Sequence, residues 1–473
     1  MFKPFYSLLL LLFLGVVFVL FSFLPSKLTI ASIEIKIPKI SLSFTIDDEN
    51  LSKKAKVLIE QLAKEDSLSL QDTLKNKRDT VLPVKEQIAY ADSSYSALDA
   101  FFNAIENDKK IHVLHYGDSQ IEGDRISGYL RQHLQTDFGG SGAGFIIPVQ
   151  VNGIEQAIKV ENKGDWKRYT LFGNRNKKVK HRKYGPLLQF VRYAPIIDSL
   201  SNDSLVYEAS LTFKPNTGAY GSNFRFNMVK LCYGNLKRPV LVQLYDGDTF
   251  LTMKTLNPTL VEQIEVFELN QQPKELVIEF IGKDSPDIYG LSFESSQGIW
   301  VDNVPMRGSS GTDIAASALG HISALYKNLN VKLLIYQFGV NVVPYITESY
   351  DYYEQWVYQQ LRFLKQANPE MSILVVGVSD MSMNTDSGLV SYPNIEAIRN
   401  AQKKAAFKAG CAFWDTYQAM GGQNSMPVWV KSGLAAKDYT HFAPQGASKI
   451  ARMLYNALHN DYLMYKKRKK ANT

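Results

Sequence analysis

A hydroxyl, an imidazole and a carboxylate at separate points of this chain have the types and surroundings that acyl transfer requires. Ser119 lies in the stretch Ile111-His-Val-Leu-His-Tyr-Gly-Asp-Ser-Gln-Ile-Glu-Gly-Asp124. Residues 111–116 form a short apolar run of strand character, Gly117-Asp118-Ser119 reads as a turn, and residues 125–134 carry a helical pattern. A serine at such a turn projects beyond the carboxyl edge of a sheet, where open α/β folds place their sites. The helix N-terminus behind it offers N–H groups to an oxyanion. Taken alone, the same serine is equally suited to capping the helix.

A serine nucleophile needs a base to take its proton, and the base needs a carboxylate to fix its tautomer and stabilise the imidazolium. The stretch Lys437-Asp438-Tyr439-Thr440-His441-Phe442-Ala443-Pro444 supplies both, ahead of a last amphipathic helix over residues 447–459. Of the seven histidines only His441 has an acid at this spacing. His112 and His115 belong to the first strand, and His133, His321 and His459 sit in helical patterns. Such histidines are usually core or surface residues. Two further stretches end in possible oxyanion donors. Residues 331–341 read as a buried strand ending in Gly339-Val340-Asn341, and residues 300–311 as a strand running into a glycine turn. The amide of Asn341 and the N–H of Gly308 join the N–H of Ser119 as candidates, with Gly311 close by. Each such donor is typically worth roughly 10²- to 10³-fold in turnover.

Four separated blocks, Gly117-Asp118-Ser119, the turn at Gly308, Gly339-Val340-Asn341 and Asp438-Tyr439-Thr440-His441, resemble in order those of the SGNH (GDSL-like) hydrolases. The resemblance implies Ser119 as nucleophile, His441 as base oriented by Asp438, and Ser119, Gly308 and Asn341 as oxyanion hole. It also implies a three-layer α/β/α fold around a parallel sheet. Two positions depart from the family's pattern: Gln120 stands where leucine or histidine is frequent, and Val342 follows Asn341 where aspartate is common. Neither removes a catalytic atom.

Positioning these blocks falls to a chain of 473 residues, with 45% apolar and 12% aromatic residues, enough for two or three domains with sizeable cores. Of the net charge of +7, the run Lys466-Lys-Arg-Lys-Lys470 supplies five. The body is therefore near neutrality, the tail (466–473) reads as solvated, and no nucleic-acid partner is expected. Residues 5–24 are an unbroken apolar or small-residue stretch of 20, long enough at about 1.5 Å per residue for the roughly 30 Å hydrocarbon core. No small-x-small site or lipid-anchor cysteine follows. Residues 1–25 are expected to anchor the chain in an inner membrane with the body in the periplasm, cleavage and secretion being the alternative. Residues 26–84 read as a stalk containing one helix (51–64), and residues 85–110 as a helix packing beside the first strand.

The run Phe138-Gly-Gly-Ser-Gly-Ala-Gly-Phe145 lacks the Gly-Lys-Ser/Thr ending of a phosphate loop and reads as a flexible turn near the site. From about 148 to 297 helical patterns give way to seven alternating runs, at 205–213, 223–233, 240–245, 250–255, 263–269, 275–281 and 288–293. These argue for a β-sandwich inserted into a hydrolase domain made of residues 85–147 and 298–465. With a carbohydrate-binding-module-like insertion and the stretch Trp414-Asp-Thr-Tyr-Gln-Ala-Met-Gly-Gly422, the chain is similar to bacterial peptidoglycan O-acetylesterases within that family. The similarity implies an esterase removing O-acetyl groups from a cell-envelope glycan. An O-acetyltransferase with the same triad is the alternative, and a non-catalytic glycan-binding scaffold is the alternative of another class. By analogy a membrane-bound acyltransferase is a candidate partner. Trp166, Tyr220 and Tyr289 are candidates for stacking on sugars, with core packing the plainer reading, and the basic run at 177–183 either meets an acidic glycan or is a solvated loop. Cys232 and Cys411 are expected as buried thiols rather than a bridge, and no metal or cofactor is expected.

Overall fold

Five short runs rich in Val, Ile and Leu assemble into one parallel sheet. In spatial order they are Gly298–Pro305, Lys110–Gly117, Val331–Gln337, Ser372–Val376 and Ala412–Trp414. This computed structural model describes residues 27–30, 33–36, 52–69, 87–92, 95–149, 157–196, 205–386 and 388–471. Numbered along the chain, the sheet order is 2-1-3-4-5, so the direction of winding reverses between the first and third strands. Leu114, Tyr116, Leu334, Tyr336, Ile373 and Val375 share a core with the helices Leu319–Asn328, Asp351–Ala367 and Ile395–Lys408. Alternate residues such as Val113, Leu333 and Ile335 are also buried and face the opposite way. On that side lie Asp99–Asn107, Ser127–Phe138 and Pro444–Ala471, which pack on one another. Burial of both faces is what a parallel sheet demands of near-continuous apolar strands. The Asp351–Ala367 helix shows the matching pattern: Tyr353, Val357, Gln360, Leu361 and Leu364 form its buried stripe. It stops at Asn368, which Pro369 holds in an extended conformation.

Between the first and second strands the chain leaves this sheet and builds two antiparallel ones. One runs Thr249–Leu256, Val240–Asp246, Leu276–Gly282, Tyr207–Pro215, Ile158–Lys163. The other runs Gln263–Glu268, Met228–Gly234, Asp287–Glu294, Gln189–Arg192, Lys167–Thr170, with Gly144–Ile146 also paired to Asp287–Glu294. Their inner faces share one core, in which Phe213 of the first sheet meets Phe293 of the second at 4.9 Å between ring centroids. All seven expected runs contain strands. Four strands went unexpected, at 144–146, 158–163, 167–170 and 189–192, because they are short or, like Gln189–Arg192, buried at every position and so without alternation.

Four expectations need correction. Among the described residues, the helix expected over 85–110 is confined to Asp99–Asn107; Ala89 instead pairs with Phe413, using backbone groups that the edge strand Ala412–Trp414 leaves open. The glycine run after the Ser127–Phe138 helix is not a flexible turn near the site. Gly142 has φ +96°, and a Cβ there would lie 2.2 Å from the Phe293 carbonyl. Gly298, against which Gly140 packs, pairs with Lys110, at the end of the first strand remote from Ser119. The basic run 466–470 is largely exposed, as expected, but it is not a loose tail: it ends the last helix, where Arg468 reaches Asp99 at 2.6 Å and Lys469 reaches Glu106 at 2.8 Å. The helix expected in the stalk, Lys53–Ser69, buries Ala55, Leu58 and Leu62 and packs beside Ser425–Lys431, and Ser52 donates to the Gly421 carbonyl. Cys232 and Cys411 are buried free thiols. The apolar stretch 5–24 lies outside the described residues; among those described, no helix is long and apolar enough to cross a membrane.

The chain divides into two units, 1–49 with 384–389, and 50–383 with 390–473. In the first, Lys27–Ile30 pairs antiparallel with Ile33–Lys36. The second holds every candidate site residue, and within it a buried charge cluster joins the parallel sheet to the sandwich. His112 Nδ1 lies 2.7 Å from Asp302, its Nε2 lies 3.2 Å from Glu294, and Lys230 lies 2.7 Å from Glu294. Burial disfavours the imidazolium, but the two carboxylates outweigh it and raise the His112 pKa to about 9. A folded-state value above the unfolded one of 6.5 means that this contribution to stability is complete below pH 6.5 and is lost as pH rises through about 9. The urea midpoint should therefore fall between pH 6.5 and 9 in the wild type. Replacing His112 by leucine should destabilise the protein at pH 6.5 by about 3–5 kcal/mol, because buried Asp302 loses its cationic partner and Glu294 keeps only Lys230, and should flatten that pH dependence.

Candidate active site

The first strand ends level with both neighbours, since Gly117 is in register with Pro305 on one side and Gln337 on the other. Ser119, Gly308 and Asn341 therefore follow three adjacent strand ends, beside the point where the winding reverses, which is where open α/β sheets bind ligands. Two contacts lock this edge. Met306 N–H donates to the Gly117 carbonyl at 2.7 Å, and the Asp118 N–H to the Gln337 carbonyl at 3.2 Å. The Asp118 side chain then accepts hydrogen bonds from the N–H groups of Gln120, Gly339 and Val340. Burial pushes its carboxyl up to about 7 against those bonds and the pull of His441.

The helix expected over 125–134 runs from Ser127 to Phe138, so the chain does not enter a regular helix directly after Ser119. A 3₁₀ segment, Ser119–Asp124, intervenes, with a break at Glu122 and Gly123, and the α-helix begins at Ser127. Asp118, not Ser119, caps the short segment. This leaves the Ser119 hydroxyl for another partner, His441 Nε2, at 2.7 Å. On the other side of the ring, His441 Nδ1 lies 2.7 Å from Asp438 Oδ2. The second Asp438 oxygen accepts from the N–H groups of His441 and Thr440, both at 3.0 Å. Burial tends to raise the Asp438 pKa, but these N–H groups and the imidazole outweigh it and hold the carboxyl below its usual range. An ionised Asp438 keeps the Nδ1 proton in place and leaves Nε2 as the acceptor facing Ser119. The arrangement can remove the hydroxyl proton and hold it as an imidazolium.

The tight loop carrying the acid and base has Tyr439 at φ +54°, and the Ala436 N–H donates to the His441 carbonyl at 2.8 Å. Asn341 is half-buried and donates from Nδ2 to the Ser309 carbonyl at 3.0 Å. That bond ties the turn after the second strand to the end of the third and leaves the other Nδ2 proton uncommitted to it. Gly308 has φ +78° with open space where a Cβ would stand. The structure thus joins Ser119, His441 and Asp438 by direct hydrogen bonds, and sets Gly308 and Asn341 on the flanking strand ends.

The remaining candidates separate clearly. His115 is buried between Gln337 and Ser127, with its pKa pushed down to about 4 by burial. His321 bonds Glu262 and accepts from the Gly185 N–H. Tyr289 is a core residue, and Trp166 is half-buried on Tyr193 and Phe280; only Tyr220 of the three aromatics is exposed.

Sequence reasoning missed two residues that hold the base. Gln120 Nε2 donates to the Thr440 carbonyl at 2.7 Å, and its Oε1 accepts from the Phe442 N–H at 3.3 Å, so one amide grips the backbone on both sides of His441. Arg125 donates to the carbonyls of Ser119 at 2.6 Å and Phe442 at 3.1 Å, linking the nucleophile's own backbone to the same loop. The only signal for Gln120 was its departure from the family's pattern, and Arg125 carried none.

No family model matches the chain, and no curated protein matches it in sequence. Among solved structures, the fold is similar to that of a peptidoglycan O-acetylesterase at 19% identity, with a TM-score of 0.60, over 80% of this chain and 99% of that one. An acetyl xylan esterase (15% identity, TM-score 0.27, 34% of this chain and 81% of that one) and a family two carbohydrate esterase from Clostridium thermocellum (9%, 0.26, 55% and 93%) also match, at scores too low to carry an argument. The resemblance to SGNH hydrolases, and among them to peptidoglycan O-acetylesterases, thus extends from the four blocks to the fold.

Replacing Gln120 with leucine should lower kcat by about 10- to 100-fold with little change in KM, since a misplacement near 1 Å can cost about 10². Steady-state turnover of an aryl acetate, with a melting curve to show the fold intact, checks this.

Proposed function

We propose that the protein is a serine esterase of SGNH type that removes O-acetyl groups from a cell-envelope glycan, peptidoglycan first among them. The observation that carries the reading is the unbroken chain from the Ser119 hydroxyl through His441 to Asp438, two contacts of 2.7 Å each at the carboxyl edge of a parallel sheet. His441 Nε2 takes the hydroxyl proton as Ser119 Oγ attacks the acetyl carbonyl carbon. The oxyanion is received by the N–H groups of Ser119 and Gly308 and by the Asn341 amide. Collapse of the tetrahedral adduct breaks the bond to the sugar oxygen, which takes the proton from His441 and leaves. Water then enters, gives a proton to the same nitrogen, and releases acetate with the serine restored.

The glycan assignment draws on the likeness in fold, which spans nearly all of a peptidoglycan O-acetylesterase, and on an exposed aromatic close to Asn341 in the chain. Tyr345 is 70% exposed and its carbonyl is held by the Tyr350 hydroxyl. It follows Asn341 by four residues, within about 14 Å of chain, a reach that suits a sugar adjoining the acetylated one. A sugar hydroxyl in place of the water would make the same site an O-acetyltransferase. The apolar stretch 5–24 supports membrane anchorage with the body in the periplasm, beside that substrate.

Acetate release from O-acetylated peptidoglycan and from an aryl acetate is the direct test. Release from both, reduced by about 10³-fold or more in Ser119→Ala, is the expected result. Turnover of the aryl ester alone would keep the serine mechanism and remove peptidoglycan as the substrate. A folded protein inert on both would favour a glycan-binding scaffold.

A further inference from the structure

The basic run at 177–183 has no part in the esterase site, yet the fold gives it one. Lys178, Lys180 and His181 line a cavity of about 190 Å³ on the sandwich, and Lys237 and Lys283 reach the same space from two other turns. All four lysines are exposed. Behind them Arg192 is buried between Asp284 and Asp287, at 2.8 Å from each.

The two aspartates offset only part of the positive charge, and internal donors already occupy them. Asp284 accepts from Arg192 and from the Lys237 N–H at 2.9 Å. Asp287 accepts from Arg192 and from Asn235 at 2.7 Å. His181 Nε2 lies 3.0 Å from Asp287, while its Nδ1 accepts the Lys183 N–H. Four lysines and Arg192 against two aspartates leave a formal charge of +3 around the cavity. Among the described residues, Lys178, Lys180 and Lys283 have no acidic partner. Arg192 also has a buried Nε donor without an acceptor among the described residues. Such a donor, where nearly all buried polar groups are satisfied, is a reason to expect a ligand or water.

We propose that this cavity is an anion-binding site, separate from the hydrolytic one, that takes the carboxylate of an acidic sugar in a glycan chain. At ~30 Å³ per water its volume equals roughly six waters, the scale of a single sugar ring rather than of a bare ion. Val179, Ile196 and Leu260 provide apolar wall for the ring's C–H face, and the lysines provide point charges for the carboxylate. The site would hold an anionic polymer by the sandwich independently of the chemistry at Ser119.

Binding of oligogalacturonate to the full-length protein tests this, with cello-oligosaccharide as neutral control and inorganic phosphate as competitor. The expected result is saturable binding of oligogalacturonate, weakened by salt, and weakened at least about 10-fold by Lys180→Glu with Lys283→Glu, with aryl acetate turnover unchanged. Both lysines are exposed, so the double variant should fold; its melting curve confirms that. Absence of oligogalacturonate binding, equal binding by the double variant, or equal binding of the neutral chain would overturn the site. Phosphate competing as tightly as the sugar acid, or a single-stranded oligonucleotide binding better than either, would overturn its assignment to an acidic sugar.

Discussion

The Asp118 carboxylate is the point on which the site's geometry depends. It is buried, which raises its pKa to about 7, and N–H groups of Gln120, Gly339 and Val340 converge on it and oppose that shift. Those three donors belong to two different strand ends. Satisfying one side chain therefore sets the loop that carries Asn341 against the turn that carries Ser119. The in-register pairing of Gly117 with Pro305 and Gln337 brings the second strand's turn to the same level. Groups placed this way are positioned by the hydrogen-bonded strand ends that their turns follow.

The base reaches the site differently. Asp438 and His441 come from a loop that belongs to no strand of the sheet, and its orientation relies on side chains reaching across. Gln120 and Arg125 bind the carbonyls of Thr440, Phe442 and Ser119, so residues just after Ser119 hold the loop that carries His441. Asp438 contributes twice, since one oxygen orients the imidazole and the other caps the loop's own N–H groups.

The inserted sandwich costs the parallel sheet little, because loop-closure entropy grows only slowly with the length of chain between two adjacent strands. What it needs is a fixed junction. His112, Asp302, Glu294 and Lys230 form one from residues of both sheets, and the glycine run at 139–144 lets the backbones cross closely there. Without side chains, those glycines read in sequence as slack. Their neighbours show them to be the tightest contact of the crossing.

The sequence by itself determined most element types and the candidate catalytic set. Apolar runs, alternation and turn residues identified the strands that end at Gly117, Pro305 and Gln337, seven runs of the sandwich, and Ser119, Asp438 and His441 as a set, because periodicity and residue type are local properties. Four short or wholly buried strands had no such signal. The helical, ion-paired end at 466–470, the docking of Lys53–Ser69 and the true extent of the helix at Asp99–Asn107 were equally illegible, since each depends on a partner distant in the chain. Tertiary structure alone decided which N–H groups converge on Asp118, that one amide of Gln120 would grip both sides of His441, and that lysines from three turns would share a cavity. Hydrogen bonds and charge pairs act across a few ångströms of space, and residues hundreds of positions apart in sequence carry no mark of that proximity until the chain is folded.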